Sequence, residues 1–196
     1  MIKKMIKIKN KYLFPQSLST LAAAISISCF SVQSNANNLD LALSDQTIKI
    51  GLISDTRADT RSSFEANFFH NEGESNMAAL GLHVTSQNKP LKFLLGVKTY
   101  YVDFDNNEEG SGIVIGGKAI YAIMPKFTFS AQAYYSPAVT SFGDTEHYKE
   151  GEARLNLQLV PGGDVFLGYR NIEVDMEDIG NLEMHEGGFA GVSFVF

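Results

Sequence analysis

The chain is poor in cysteine, in basic residues and in long apolar runs, and each shortage removes a class of protein. Its only cysteine, Cys29, stands near the start, so no disulfide, zinc cluster or thiol nucleophile exists downstream of it. Lys and Arg number 16 against 22 Asp and Glu. Five of the cations, Lys3, Lys4, Lys7, Lys9 and Lys11, precede any acidic residue, so beyond residue 36 the balance is 11 basic to 22 acidic. A nucleic-acid binder needs clustered Lys and Arg to displace counterions from phosphates, so no nucleic-acid partner is expected. Past residue 36 nothing approaches the roughly 20 apolar residues of a membrane helix. His-Glu-x-x-His, Gly-x-Ser-x-Gly and P-loop motifs are all missing, and no cofactor is expected.

What is present begins with a leader. A lysine-rich start, an apolar stretch from Leu18 to Val32 and the small residues Ser34 and Ala36 predict a secretory signal peptide over residues 1–36, cleaved after Ala36. Lipidation at Cys29 is disfavoured, because Ser26-Ile27-Ser28 precedes it without the expected leucine.

Residues 37–196 alternate apolar and other side chains with period two in segments of about ten, which predicts strands. The expected strands lie near Asn38–Ser44, Thr47–Ser54, Ser63–His70, Met77–Thr85, Leu91–Asp103, Gly112–Ile123, Phe127–Ser136, Gly151–Val160, Val165–Val174 and Gly187–Phe196. Three connections are tight turns: Ser86–Pro90, Met124-Pro125-Lys126 and Pro161–Asp164. Longer polar loops are expected at Asn71–Asn76, Phe104–Ser111, Pro137–Glu150 and Asp175–Glu186, and Asp55–Ser62 is longer than a turn on that rim should be. Short turns on one rim and loops on the other is the layout of an outer-membrane barrel, the short side periplasmic. The fold class is therefore all-β: an antiparallel up-and-down transmembrane β-barrel. Ten strands are preferred, and eight follow if Asn38–Ser44 is unpaired.

Face assignment separates two surfaces. Phe93, Leu95 and Val97, Ile113 and Ile115, Phe129, and Leu155, Leu157 and Leu159 share one face that no charge interrupts. The other face carries the candidate lumen cluster Lys49, Glu65, Lys98, Lys118, Glu152, Arg154 and Arg170, with Gly51, Gly81, Gly96, Gly116 and Gly168. Glycine on a narrow lumen relieves crowding and leaves room for long basic side chains. A soluble lipocalin-like barrel shows the same alternation turned inside out, and remains the periplasmic alternative. Tyr100, Tyr101, Tyr121, Phe127, Tyr134, Tyr135, Tyr148 and Phe166 stand at strand ends, where aromatic girdles belong. Of these, Tyr100 and Tyr134 face the lumen by phase.

The chain ends Gly191-Val192-Ser193-Phe194-Val195-Phe196. Gly191, Phe194 and Phe196 resemble the sorting signal read by the barrel-assembly machinery, although Phe189 stands where that pattern has a polar residue. Together with Gly116-Gly117-Lys118-Ala119-Ile120-Tyr121, Tyr134-Tyr135-Ser136-Pro137 and Gly168-Tyr169-Arg170, this ending is similar to the YfaZ family of bacterial outer-membrane proteins. The resemblance covers most of residues 37–196 and implies a barrel in the outer membrane with no established activity.

The expected function is structural or interactive, with the polar lumen largely plugged by ion pairs; a narrow anion-preferring pore is the alternative. The acidic loop Asp103-Phe104-Asp105-Asn106-Asn107-Glu108-Glu109 starts like a calcium loop. Glu108 occupies the position of the turn glycine and Val114 that of the closing glutamate, which excludes an EF-hand. Divalent cations shared with lipid head groups are candidate partners for this loop and for Asp175, Glu177 and Asp178. Asp144, Glu146 and His147 form the best acid–histidine cluster, yet without a second partner they predict no enzyme. His83 is expected in the lumen, and His70 and His185 at solvated loop edges.

Overall fold

The period-two segments all form strands in the computed structural model, which describes residues 37–57, 60–72, 75–104, 108–176 and 180–196. The expected signal peptide, Asp105–Asn107, Glu177 and Asp178 lie outside these residues. The strands are β1 (Asn37–Leu43), β2 (Thr47–Arg57), β3 (Thr60–Asn71), β4 (Ser75–Asn88), β5 (Leu91–Phe104), β6 (Glu109–Met124), β7 (Phe127–Ser136), β8 (Ser141–Gly143), β9 (Thr145–Val160), β10 (Gly163–Met176) and β11 (Gly180–Val195). Every pairing is antiparallel, and all strands but β8 form a ring in which β1 pairs with both β2 and β11, which closes a ten-stranded barrel. β8 is a flap on the top of β6, with Ser111 opposite Phe142.

Three expected loops prove shorter than the sequence suggested. β9 starts at Thr145, β6 at Glu109, and β10 and β11 run to Met176 and from Gly180. The reason is one of composition: charged residues interleaved with others, as in Glu146-His147-Tyr148-Lys149-Glu150, suggest a solvated loop although the stretch continues the alternation of β9. Asp55–Ser62 is likewise mostly strand, since β2 and β3 stay paired as far as Arg57 opposite Thr60.

The outer face is apolar around the turn-side two thirds of the barrel. Leu82, Leu95, Ile115 and Leu167 are each at least 60% exposed, an arrangement that water would penalise and lipid favours. From Ile113 to Ile123 this belt advances roughly 33 Å along β6 at about 3.3 Å per residue, or about 25 Å of height once tilted by roughly 40°. That height matches the apolar band of an outer-membrane barrel. Three outward tyrosines bound it on the loop side, each with a polar partner: Tyr101 donates to Glu109 (2.7 Å), Tyr169 donates to Glu186 (2.7 Å) and Tyr135 meets His147 Nδ1 (3.3 Å).

Above the tyrosines the polarity inverts. On β10 the outward residues become Asn171, Glu173 and Asp175, while Ile172, Val174 and Met176 turn inward and are buried. Phe69, Met77, Val102, Phe104 and Met184 join them in one apolar cluster that fills the loop-side end of the lumen. This cluster is a water-soluble core stacked on a membrane barrel, because outside the bilayer apolar side chains have only the interior in which to escape water. It adds an apolar layer to the ion pairs expected in the bore. It also moves Tyr148 and Phe166 from the expected girdle to the interior, where both are buried.

Candidate functional site

Directly beneath the apolar cluster, the inward positions of β1, β2, β3, β5, β6, β9 and β10 bring together the charged side chains of the lumen. All seven expected residues point there. Lys98 Nζ lies 2.5 Å from Glu150 Oε2 and rests 3.5 Å above the Tyr134 ring. Arg170 Nε donates to Glu152 Oε2 (2.7 Å) with its guanidinium carbon 4.2 Å from the Phe189 ring centre. Lys49 Nζ sits between Glu152 (3.4 Å) and Glu150 (3.6 Å). Arg154 donates to Asp40 Oδ2 (2.6 Å) and lies over Phe166. Glu65 accepts from Asn67 Nδ2 (2.6 Å) and lies 3.6 Å from His83 Nε2.

Two members were missed by sequence. Glu150 closes the expected loop Pro137–Glu150, whose last residues, from Thr145, are the start of β9. Asp40 lies on β1, the least certain strand, and its partner Arg154 is 114 residues away. The readable signals were the continuing alternation of Tyr148, Glu150 and Glu152, and Asp40 as the one charge among the apolar residues of Leu39–Leu43. With them, five cations face four carboxylates instead of two. Glu150 binds the network most densely: it also accepts from Gln132 Nε2 (2.8 Å) and the Tyr148 hydroxyl (3.1 Å).

Close packing explains the inward glycines. A Cβ on Gly81 would lie 2.8 Å from Lys98 Cγ, so the lysine stem occupies the space that a side chain would need. At Gly168 a Cβ would fall against the Ala153 carbonyl and 2.8 Å from Phe189 Cζ. Between the charges remains a cavity of about 20 Å³, lined among others by Lys118, Arg154, Glu65 and Asn67. That is room for about one water.

The remaining expected residues fall elsewhere. His83 is buried in the lumen beside the Tyr134 hydroxyl (2.8 Å). His70, at the loop rim, meets Asn76 (2.8 Å). His185 is not a solvated loop residue: a register shift at Ile172/Glu173 leaves Met184 and His185 both buried, His185 against the edge of Phe69. Such a bulge bends its strand, and the Met184 carbonyl accepts from Asn71 Nδ2 (2.8 Å), which ties β11 to β3. Asp144 accepts from the Glu109 N–H (3.4 Å) while His147 stacks on Tyr135, so the acid–histidine set is divided. Among the described residues no group of three or more His, Cys, Asp or Glu is arranged to hold a metal ion. Gly191 packs against Phe166, and Phe194 and Phe196 are exposed on the outer face at the turn rim.

A family model described as YfaZ precursor matches residues 17–196. The outer membrane protein YfaZ of Escherichia coli (strain K12) is 26% identical over 136 residues, 68% of this chain and 74% of the relative. Among solved structures, the KdgM porin aligns with a TM-score of 0.45 at 11% identity, over 83% of this chain and 99% of that one. The NanC porin aligns at 0.41 and 12% identity, over 81% and 98%. The outer membrane channel DcaP of Acinetobacter baumannii aligns at 0.42 and 14% identity over 80% of this chain, which spans 54% of that one.

Proposed function

The chain belongs to the YfaZ family, and from that premise we propose that this outer-membrane β-barrel is a structural or interaction protein whose lumen is closed to ions. One observation carries the reading: the apolar layer across the loop-side end of the bore. Phe69, Ile172 and Val174 are 0% exposed and Met184 is 1% exposed, so an ion leaving the charged layer would have to enter a dry hydrocarbon core. The charged layer beneath is itself closely packed around a cavity of about 20 Å³. Conduction would require both layers to part.

The narrow anion-preferring pore rests on a specific observation too, the excess of lumenal cations over carboxylates. Planar-bilayer recording separates the two: purified protein should give no reproducible single-channel steps, and steady anion-selective openings would overturn the closed-lumen reading. The soluble binding barrel is set aside, because its outer face would be polar where this one is an apolar belt. We assign the protein no catalytic role, in keeping with the divided acid–histidine set. Residues 1–36 serve as a cleaved signal peptide in this proposal, lipids cover the belt, and the assembly machinery reads Gly191, Phe194 and Phe196. The acidic outer rim, with Asp103, Glu109 and Asp175, is left to attract divalent cations at the head groups.

A further inference from the structure

Of the five lumenal cations, Lys118 alone is left over. Lys49, Lys98, Arg154 and Arg170 each have a carboxylate partner, whereas Lys118 makes no hydrogen bond or ion pair among the described residues. It projects from mid-β6, opposite Gln132 on β7 and Leu94 on β5, into the cavity of about 20 Å³. The carboxylates that share this cavity are committed: Asp40 to Arg154, Glu65 to Asn67 and His83, Glu152 to Lys49 and Arg170. Four cations and three carboxylates therefore line one small space. Arg154 Nε, a second donor, is buried without an acceptor. Lys118 is half-buried and its neighbours Arg154 and Asp40 are 10% and 16% exposed, so an unpaired charge in so confined a space is unfavourable unless something neutralises it.

We infer that the cavity is a binding site for one chloride-sized monovalent anion, held by Lys118 with Arg154 beside it. The size of the space sets the class, since room for about one water excludes sulfate, phosphate and organic acids. The charge excess of one sets the valence. A water would satisfy the donors, and the buried acceptor Asp40 Oδ1 as well, but it would leave the charge in place. The site shares with the closed-lumen reading the premise that the bore is narrow, and adds that the anion is held there instead of passed on.

The test uses the full mature barrel refolded in detergent, with thermal unfolding followed in sodium chloride, bromide, gluconate and sulfate at matched ionic strength. Chloride and bromide should raise the melting temperature saturably, by about 3–6 °C at tenfold the dissociation constant, and gluconate and sulfate should not. Lys118→Gln, checked for folding by its heat-shifted electrophoretic mobility, should lose the halide-specific rise. An equal rise in all four salts, no rise, or an undiminished rise in K118Q would overturn the site. If K118Q fails to fold, bromide-soaked crystals of the unaltered protein decide: one anomalous peak in contact with Lys118 Nζ supports the site, and a water there refutes it. Single-channel recording on the same preparation keeps the two readings apart. Conductance would refute the closed lumen, while saturable halide stabilisation would still establish the site.

Discussion

Glu150 offers the sharpest test of how the charged layer is held. Its side chain is 2% exposed, as is that of Lys98, and their contact lies beneath the apolar cluster. Replacing Glu150 by leucine leaves the Lys98 ammonium in a closed interior with only the Tyr134 ring beneath it. A desolvated cation–π contact is worth about 2 kcal/mol, too little to offset the loss of a buried partner. Breaking such a pair from one side costs about 3–5 kcal/mol. Lys98→Met should cost less, about 1–3 kcal/mol, because Glu150 keeps its donors Gln132 and Tyr148 and keeps Lys49 at 3.6 Å. The double variant Lys98→Met/Glu150→Leu removes both charges together, and Lys49 retains Glu152 at 3.4 Å. It should therefore be less destabilised than the sum of the two single variants by roughly 2 kcal/mol, the coupling expected of a contacting pair. Urea titration of the barrel in lipid vesicles, read by far-ultraviolet circular dichroism and by gel mobility, gives all three values. If the double variant is as unstable as the sum of the two single ones, the charges are not mutually compensating and the description of the layer is wrong.

Replacing both Phe194 and Phe196 by serine should lower the amount of barrel in the outer-membrane fraction several-fold, whereas Ser193→Ala, which loses an inward hydrogen bond to Asn38 and leaves the outward pair intact, should insert normally; equal levels would refute the role of the aromatic pair. Gly168→Ala should destabilise the barrel by about 1–3 kcal/mol through overpacking against Phe189. Gly187→Ala, with its nearest neighbour at 3.6 Å, should change stability by less than about 1 kcal/mol, and the same urea titration compares the two. The chain has no tryptophan, so one placed at Leu95 should emit at short wavelength and be quenched by lipids brominated on their acyl chains. One placed at Asp103, above the tyrosines, should escape quenching if the belt ends where the polarity inverts.

Residue order alone dictates the strands and their two faces. These are local properties: consecutive side chains on a strand point to opposite sides, so Lys98 and Val97 are separated whatever the rest of the chain does. The same rule puts all seven expected lumen residues on one common face. It is also enough, in principle, to reveal the start of β9 at Thr145–Glu150, whose charged residues disguised a strand as a loop. Tertiary structure decided what alternation is silent about. Closure depends on β1 meeting β11, and charge pairing depends on register between strands far apart in the chain, as for Lys49 with Glu152, 103 residues away. Which cation remains unpaired is a difference between many such distances, so Lys118 looks like any other inward lysine until the barrel closes. Whether the bore is open is likewise a matter of packing: side chains contributed by opposite walls fill it only once curvature has brought those walls together.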